Sequence, residues 1–305
     1  MNFSRILSAA ITVSMLLAVS GCGLFRKAAN DTPGTVNGNS EGIFSPRRTD
    51  KSIKVISYNI RLATGKDGSN HWDFRKAATP AMIYQENPDI FGLQEALKVQ
   101  LDYLTETCPG YGYVGVPRDD GLSKGEVMAI FWNRNTQNLL DWGTFWLSET
   151  PEVPSKGWDA MCRRTATWAL LKDKRSKKKY YYVNTHLDHR GRIAREKGLS
   201  LIADRIAEIN QKGLPVILTG DFNVKPDNAC LRALDGKMLS ARKVAAQTDG
   251  RISFQGFGKS QDPCIIDYIY EAGFKGAAVF ETLDKTYADI PYISDHYPIA
   301  AILLF

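Results

Sequence analysis

The protein has 305 residues, of which 44% are hydrophobic and 24% are charged. This composition is that of an ordinary globular protein, and it excludes a disordered chain, a collagen and a polytopic membrane protein. The formal net charge is +6, which is compatible with an anionic substrate but too small to establish one. The length is sufficient for one large α/β domain.

Residues 1–21 are predicted to be a lipoprotein signal peptide. Arg5 precedes an apolar run of about 15 residues, which is typical of an export signal and too short to span a membrane. The sequence Val19-Ser20-Gly21-Cys22 resembles the bacterial lipobox. That resemblance implies a lipid on Cys22 and a membrane anchor, with the protein exported to the cell envelope as a periplasmic or outer-membrane-surface lipoprotein. A plain signal peptide with an incidental cysteine is the alternative.

Residues 22–50 are rich in small and polar residues and predict a flexible tether, so the globular domain is expected over 51–305. The domain contains four cysteines, which are Cys108, Cys162, Cys230 and Cys264. An exported domain can hold disulfides, but buried free thiols are the interpretation we favour for a core of this size. Their spacing does not match a structural zinc site.

The first half of the domain is predicted to alternate strands with helices. Apolar patterns predict a strand over 54–60, a helix over 72–85, a strand over 88–95 and a helix over 96–106. Three further strands are then expected over 111–116, 127–132 and 138–147.

The second half opens with a predicted hairpin of two strands, 166–171 and 180–185, joined by a strongly cationic turn. A helix follows over 192–212, with a single apolar stripe and Gly213 as its C-terminal cap. A buried strand over 214–219, a short helix opening at Pro226, and strands over 265–270 and 299–305 complete the domain. This interleaving predicts an α/β domain of two sheets flanked by helices.

Polar residues lie in or at the end of several apolar, strand-like runs. They are Asn59, Glu95, His186, Asp221, Asn223, Asp267, Asp295 and His296. Each alone has an ordinary structural explanation, such as a turn or a buried polar group with a partner. Together they indicate a site, because carboxylates gathered at strand ends repel one another unless a cation binds. Oxygen ligands without cysteine favour a hard ion, Mg²⁺ or Mn²⁺.

Six short motifs in order resemble those of the endonuclease/exonuclease/phosphatase superfamily, the DNase I-like enzymes. They are Tyr58-Asn59-Ile60, Leu93-Gln94-Glu95, Asn184-Thr185-His186-Leu187, Gly220-Asp221-Phe222-Asn223, Ile266-Asp267-Tyr268 and Ser294-Asp295-His296-Tyr297-Pro298. The resemblance covers 51–305 and implies the family's fold. That fold is a four-layer α/β sandwich of two mixed β-sheets packed face to face with helices outside.

The resemblance also implies roles for the metal-binding residues. Glu95, helped by Asn59, matches the family's ligand for a divalent ion, which polarises phosphoryl oxygens. Asp295 is expected beside the metal or beside His296. The implied cofactor is therefore Mg²⁺, with Mn²⁺ as the alternative.

Five residues match catalytic positions of the family. Asp221 is expected to orient or deprotonate the attacking water, or to help hold a second metal. Asn223 is expected to donate a hydrogen bond to the pentavalent transition state. His296, held by Asp267, is expected to contact the phosphate or act as acid/base. His186 is expected to stabilise the phosphoryl group or the leaving oxygen.

One arginine is a candidate for binding the substrate phosphate. Arg164 matches an arginine that subfamily members direct at a phosphate, and the neighbouring Arg163 is a competing choice. Of the two histidines outside the motifs, His71 is interpreted as a solvated loop residue, and His189 is a weaker candidate for substrate contact.

The leading hypothesis is a divalent-metal-dependent phosphoesterase that acts outside the cytoplasm on a phosphodiester or a phosphomonoester. The rival is a surface lipoprotein that is catalytically inactive and uses the fold for binding. A glycosidase with paired carboxylates is less consistent with the Asp-Phe-Asn and Asp-His pairs. A monomer is expected.

The substrate stays open among nucleic acids, phospholipids including sphingomyelin, and small inositol or sugar phosphates. The positive charge does not decide it, because the surplus outside the signal peptide is concentrated in one loop. The segment 172–179 holds six basic residues and one acid, so the rest of the mature chain is formally neutral. Nucleic acid is therefore a possible partner that the charge does not indicate, and the loop itself is interpreted as a solvated turn.

Overall fold

The computed structural model describes residues 49–305. The predicted signal peptide and nearly all of the tether lie outside the described residues. The strands within this range are β1 (Ser52–Asn59), β2 (Ile90–Ala96), β3 (Tyr111–Val114), β4 (Val127–Asn133), β5 (Gln137–Trp146), β6 (Thr165–Asp173), β7 (Lys179–His186), β8 (Val216–Asp221), β9 (Leu239–Ser240), β10 (Gln247–Thr248), β11 (Asp267–Ala272), β12 (Ala277–Thr282) and β13 (Ile299–Leu304). The α-helices are α1 (Trp72–Arg75), α2 (Ala78–Glu86), α3 (Lys98–Thr107), α4 (Arg192–Ile209) and α5 (Ala241–Val244). Short 3₁₀ turns cover Gly68–Asn70 and Ala229–Leu234.

The strands form two mixed sheets. One sheet has the order β10-β12-β13-β1-β2-β4-β3, and the other has the order β5-β6-β7-β8-β11-β9. Near the middle of each sheet is one parallel pair, β1 with β2 and β7 with β8. Their neighbours β13, β4, β6 and β11 are antiparallel to them. The chain therefore brings the carboxyl ends of four parallel-paired strands to one edge of the sandwich.

Three apolar layers hold the two sheets and the helices together. The layer between the sheets includes Ile53 and Val55 of β1 and Ile217 of β8, all fully buried. A second layer lies where α2 and α3 cover the first sheet, and a third where α4 covers the other. Leu199 and Ile202 of α4 are buried in that third layer. This arrangement confirms the predicted four-layer α/β sandwich.

A buried amide links the two sheets beneath the strand ends. The Asn184 side chain of β7 donates to the carbonyls of Leu93 (2.8 Å) and Ala129 (3.0 Å) in the other sheet. Its Oδ1 accepts from Nε2 of Gln94 at 2.7 Å. A Cβ at Gly92 would lie 2.6 Å from Oδ1 of Asn184. The absence of a side chain at Gly92 therefore leaves room for the Asn184 amide. Its hydrogen bonds contribute more to stability than exposed ones would, because each partner would otherwise be buried without a hydrogen bond.

The helix predicted over 72–85 is divided, with α1 ending at Arg75 and α2 beginning at Ala78. Pro80 has no N–H to donate to the carbonyl of Lys76, so the helix cannot continue regularly through this point. The buried guanidinium of Arg75 donates to the carbonyls of Asn70, Ile60, Ile293 and Arg61. These tertiary hydrogen bonds fix the first turn against the loops around the site.

Other boundaries also differ from the predictions. The long helix ends at Ile209, not 212, and Gly213 follows it with a left-handed φ of 60°. The turn predicted to open at Pro226 is a 3₁₀ segment that begins at Ala229. The strands β9, β10 and β12 were not predicted. The first two have two residues each, which is too short for a periodic pattern.

The cationic turn is not simply solvated, which corrects its interpretation as a free turn. Arg175 donates to Oδ2 of Asp173 (3.1 Å), pairs with Asp89 (3.0 Å), and donates to the carbonyl of Ser52. Lys174 donates to the carbonyl of Arg134. These two residues dock the base of the turn onto the domain, while Lys177, Lys178 and Lys179 are exposed.

The four cysteines of the described range are free thiols, as expected. Cys108 and Cys230 are buried, whereas Cys162 and Cys264 are only half-buried. Within residues 49–305, no helix combines the length and the apolar character needed to cross a membrane.

Candidate active site

The sheet topology explains why residues distant in sequence meet at one edge. Asn59, His186 and Asp221 are the last residues of β1, β7 and β8. Asp267 begins β11, which runs antiparallel to β8, and its register partner is Asp221. His296 lies just before β13, which is antiparallel to β1. The start of each antiparallel strand therefore lies beside the end of a parallel one.

A backbone irregularity directs Glu95 into the site. The pairing of β2 with β4 shifts register between Leu93 and Ala96, and Glu95 has a φ of 61°. A left-handed residue in a bulge turns the side chain away from the sheet's regular alternation. The carboxylate Oε2 accepts from the backbone N–H of Leu62 at 3.0 Å.

The Asn59 amide joins two carboxylates of the site. Its Nδ2 donates to Oε1 of Glu95 (3.1 Å) and to Oδ2 of Asp221 (3.0 Å). The amide orientation is set by the backbone N–H of Arg61, which donates to Oδ1 at 3.0 Å. Asn59 thus presents donors to the carboxylates, so in this structure it acts as a hydrogen-bond bridge, and its expected help in holding a metal stays a prediction.

His296 is held in a buried pair with Asp267. Its Nδ1 lies 2.8 Å from Oδ2 of Asp267, and its Nε2 lies 3.7 Å from Oδ2 of Asp221. Burial alone would lower the pKa of His296. The charge of Asp267, its hydrogen bond and the charge of Asp221 outweigh that effect and raise the pKa well above its ordinary value. The raised pKa favours the protonated imidazole, in which Nε2 is the donor that faces Asp221.

Asp221 lies at the centre of the polar cluster. Burial, followed by the charge of Asp267, raises the pKa of the Asp221 carboxyl. The backbone N–H of Asn223 donates to its Oδ1 at 2.9 Å. A carboxyl whose pKa is raised toward neutrality is suited to accept a proton from water.

His186 is the second buried histidine, and it is neutral. Burial and the positive charges of Arg164 and Arg118 lower its pKa well below the ordinary value. Nδ2 of Asn223 donates to Nε2 of His186 at 2.9 Å, which places the ring proton on Nδ1. Nδ1 is buried without a hydrogen-bond partner and lies 4.0 Å from Oε2 of Glu126.

Arg164 is the arginine that reaches the cleft, while Arg163 is exposed. Nε of Arg164 donates to Oδ2 of Asp188 (3.3 Å), and its second terminal nitrogen lies 3.1 Å from Nδ1 of His189. The first terminal nitrogen is buried without a partner. His189 thus lines the cleft beside Arg164, whereas His71 lies at the start of α1.

The cleft above these residues has a volume of about 600 Å³. Of the predicted residues, the cleft is lined by Glu95, Arg164, His186, Asp221, Asn223, Asp295 and His296. Asn59 and Asp267 lie behind them and are buried. The structure therefore brings all nine predicted site residues to one place, although the role of each stays a prediction.

Two residues of the cleft were not predicted, Arg118 and Glu126. Glu126 directly precedes β4, and Arg118 lies in the loop before it. Both line the cleft, and Arg118 donates to Oε2 of Glu126 at 2.6 Å. Neither belongs to a motif, and the pattern of a loop before a buried strand does not distinguish them from ordinary surface charges. Arg61, which pairs with Asp67 at 2.9 Å and with Asp295 at 3.6 Å, was also missed.

The donor set fits a hard divalent cation. Asp221 and Asp267 each bring a carboxylate oxygen within 4.8 Å of the other, beside the His296 ring that Asp267 holds. Oδ1 of Asp267 is buried without a hydrogen-bond partner, and burial raises the pKa of Asp295. Glu95 adds a further carboxylate to the same cleft. Oxygen donors crowded in this way are typical of a site for Mg²⁺ or Mn²⁺.

Known proteins share both this sequence and this fold. A model of the Endonuclease/Exonuclease/phosphatase family matches residues 56–296. A mannosyl-6-phosphatase from Bacteroides thetaiotaomicron is 35% identical, with a TM-score of 0.79 over 83% of this chain and 100% of that one. An endonuclease/exonuclease/phosphatase from Bacteroides vulgatus is also 35% identical, with a TM-score of 0.78 over 83% and 99% of the two chains.

A viral protein is more distantly similar. The uncharacterized protein L388 of Acanthamoeba polyphaga mimivirus is 27% identical over 268 residues, which cover 82% of this chain and 99% of the viral one. The family model covers the stretch of chain in which the six motifs lie, apart from Tyr297 and Pro298 at its end. This chain belongs to the Endonuclease/Exonuclease/phosphatase family.

Proposed function

We propose that this protein is a divalent-metal-dependent phosphoesterase that hydrolyses a phosphomonoester by in-line attack of water. The observation that supports this most strongly is the convergence of Glu95, Asp221 and His296 on one cleft, in a chain of this family. Glu95, with Asp295 and Asn59 nearby, would hold Mg²⁺ or Mn²⁺, which would polarise the phosphoryl oxygens and neutralise developing charge.

The remaining steps are carried by side chains of this chain. Asp221 accepts the proton of the attacking water at a carboxylate oxygen, a role that suits its raised pKa. His296 donates a hydrogen bond from Nε2 to a phosphoryl oxygen, and Asp267 keeps its ring protonated and oriented. In this proposal each ring nitrogen of His296 has a partner, Asp267 for Nδ1 and a phosphoryl oxygen for Nε2.

Asn223 and His186 act together on the phosphoryl group in this proposal. Asn223 has a φ of 53°, a left-handed conformation that holds its amide toward His186. Its Nδ2 donates to Nε2 of His186 and to the Leu187 carbonyl, which fixes the ring in the cleft. The neutral His186 ring is assigned to stabilise a phosphoryl or leaving oxygen.

A small phosphorylated sugar is the substrate class that we favour. One relative of 35% identity is a mannosyl-6-phosphatase, and a cleft of about 600 Å³ matches a small molecule. Nucleic-acid sites instead need cations that are free to neutralise several phosphates. Among the described residues, the three arginines of the cleft are each paired with a carboxylate, namely Asp67, Glu126 and Asp188.

Hydrolysis of four substrates tests the proposal, measured as phosphate release for mannose 6-phosphate, p-nitrophenol release for the two nitrophenyl esters and fragments on a gel for the oligonucleotide. We expect hydrolysis of p-nitrophenyl phosphate and mannose 6-phosphate in Mg²⁺, and at least tenfold lower kcat/KM for bis(p-nitrophenyl) phosphate and a single-stranded oligonucleotide. EDTA and Glu95→Ala should each abolish the activity. Hydrolysis that survives both changes contradicts the proposal, and no hydrolysis at all favours a binding protein that only retains the fold.

We also propose that the protein acts in the cell envelope, anchored by a lipid on Cys22. The export pattern of residues 1–21 and the Val19-Ser20-Gly21-Cys22 sequence support this location. Labelled palmitate should enter the wild-type protein and Cys162→Ala, but not Cys22→Ala, which should move to the soluble fraction. Label that persists in Cys22→Ala contradicts the anchor.

A further inference from the structure

Arg118, Glu126 and Arg164 form one wall of the cleft, which we call the arginine–glutamate wall. All three line the cleft. Arg118 donates to Glu126 at 2.6 Å, and Arg164 donates to Asp188 at 3.3 Å. Arg164 is already the candidate for binding the substrate phosphate, but Arg118 and Glu126 carry no role in the proposed hydrolysis, so their place in the cleft needs its own explanation.

The wall holds charged groups in unusually buried positions. Arg164 is 5% exposed and Glu126 is 8% exposed. A buried ion pair gains little over an apolar pair, because both partners lose their hydration. Two nitrogens of the wall, Nε of Arg118 and one terminal nitrogen of Arg164, are buried without a hydrogen-bond partner. Unsatisfied buried donors are rare, and the two side chains that carry them line an open cleft.

The fold positions this wall by several independent contacts. Pro117 bridges to Val127, and the backbone N–H of Arg118 donates to the carbonyl of Glu126 at 2.9 Å, so the pair flanks a hairpin-like loop. Nε1 of Trp146 donates to the Arg118 carbonyl at 2.6 Å. In the loop, Oδ1 of Asp120 accepts from three backbone N–H groups. Both ends of the ion pair are thereby held in place.

The mixture of donors and an acceptor indicates the kind of group that binds there. A second phosphate or a carboxylate would be repelled by Glu126, and an apolar group would leave the arginine donors unsatisfied. A hydroxyl group satisfies both, because it donates to the carboxylate and accepts from a guanidinium. Neighbouring hydroxyls on a ring can pair with neighbouring donors and acceptors in this way.

We propose that the arginine–glutamate wall binds the hydroxyl groups of a sugar or polyol and so determines which phosphomonoester is hydrolysed. The inference rests on the proposed phosphomonoesterase function and adds the recognition of the leaving group. Glu126 is a specificity residue in this account, and its carboxylate accepts from a substrate hydroxyl.

Substrates with and without hydroxyl groups test this assignment in the full-length protein with Mg²⁺. For Glu126→Gln we expect kcat/KM for mannose 6-phosphate to fall about 10–100-fold, because one good hydrogen bond to a charged group is lost. For p-nitrophenyl phosphate, which has no hydroxyl on its leaving group, we expect a change of less than about threefold. Glu196→Gln, an exposed change on α4, should alter neither.

Deoxy analogues of mannose 6-phosphate provide a second measurement, which can be made first on wild type alone. Wild type should hydrolyse at least one deoxy analogue about 10–100-fold less efficiently than the parent sugar, and Glu126→Gln should lose that preference. Equal losses for both substrates in Glu126→Gln overturn the proposal and indicate that Glu126 acts through His186. Deoxy analogues that match the parent in wild type overturn it as well. If wild type hydrolyses neither substrate, the phosphoesterase function itself has failed.

Discussion

Nδ1 of His296 lies 2.8 Å from Oδ2 of Asp267, and both side chains are buried. Asp267→Asn should therefore lower kcat for p-nitrophenyl phosphate by about 10²–10⁴-fold, because an amide does not sustain the protonated ring. Rates in Mg²⁺, with the variant's thermal unfolding as a check on its fold, measure this effect. A folded variant with wild-type kcat contradicts the assigned role of the pair.

Glu95 is expected to be the principal metal ligand. Glu95→Gln should weaken Mn²⁺ binding at least about tenfold, since it removes a charged oxygen ligand while keeping the side-chain volume. Water-proton relaxation in the presence of Mn²⁺ reports this without any substrate. Glu106→Gln, an exposed change on α3, is the matched control. If Glu95→Gln binds Mn²⁺ as tightly as wild type does, Glu95 is not the principal metal ligand.

Asp188 links the pH dependence of stability to the cleft. Burial opposes ionisation of Asp188, but hydrogen bonds from the backbone of Gly191, Met161, Arg190 and Cys162 outweigh it and lower its pKa. A folded-state pKa below the unfolded value of about 3.9 stabilises the protein above that pH. This stabilisation is lost as the pH falls through the folded-state pKa.

Asp188→Asn should therefore lower the free energy of unfolding by about 2 kcal/mol at pH 7, because hydrogen bonds to a charged group and the pairing with Arg164 are lost. The difference from wild type should shrink as the pH falls below about 4, where Asp188 begins to protonate in the unfolded state while it stays ionised in the folded state. Urea unfolding at several pH values measures both quantities. A difference that is constant between pH 7 and pH 3 rules out the linkage.

The Asn184 link between the sheets is expected to matter for stability. Asn184→Ala leaves the carbonyls of Leu93 and Ala129 and the amide of Gln94 without this buried partner. The free energy of unfolding should fall by about 3 kcal/mol. Asn138→Ala, at an exposed position of β5, should change it by less than about 0.5 kcal/mol. Equal effects of the two changes would show that the link is not stabilising.

The strand-end residues could be predicted because each follows a recognisable apolar run. The end of a strand fixes where its last side chain lies, so Asn59, His186 and Asp221 were placed correctly from the sequence. Their contacts could not be predicted in the same way. Whether Asn59 presents its oxygen or its nitrogen to Glu95 depends on the Arg61 backbone, which only the folded chain brings near.

The features that escaped prediction depend on tertiary contacts. Arg75 fixes the first turn, α1, through hydrogen bonds to carbonyls up to 218 residues away. Arg118 and Glu126 face the cleft because a bridge and the Trp146 hydrogen bond fix their loop. Local propensity contains no signal for such contacts. The sequence, by contrast, showed that the surplus positive charge lies in the loop 172–179. It did not show that Arg175 holds this loop against the domain by pairing with Asp89.

Phosphate release from mannose 6-phosphate by wild type and by Asp221→Asn tests the central claim most directly. Asp221 is the buried carboxyl to which the account assigns the proton of the attacking water. We expect wild type to release phosphate in Mg²⁺ but not in EDTA, and Asp221→Asn to retain its fold while kcat falls at least about 10²-fold. Equal rates for the two proteins, or wild-type release that persists in EDTA, would contradict the account.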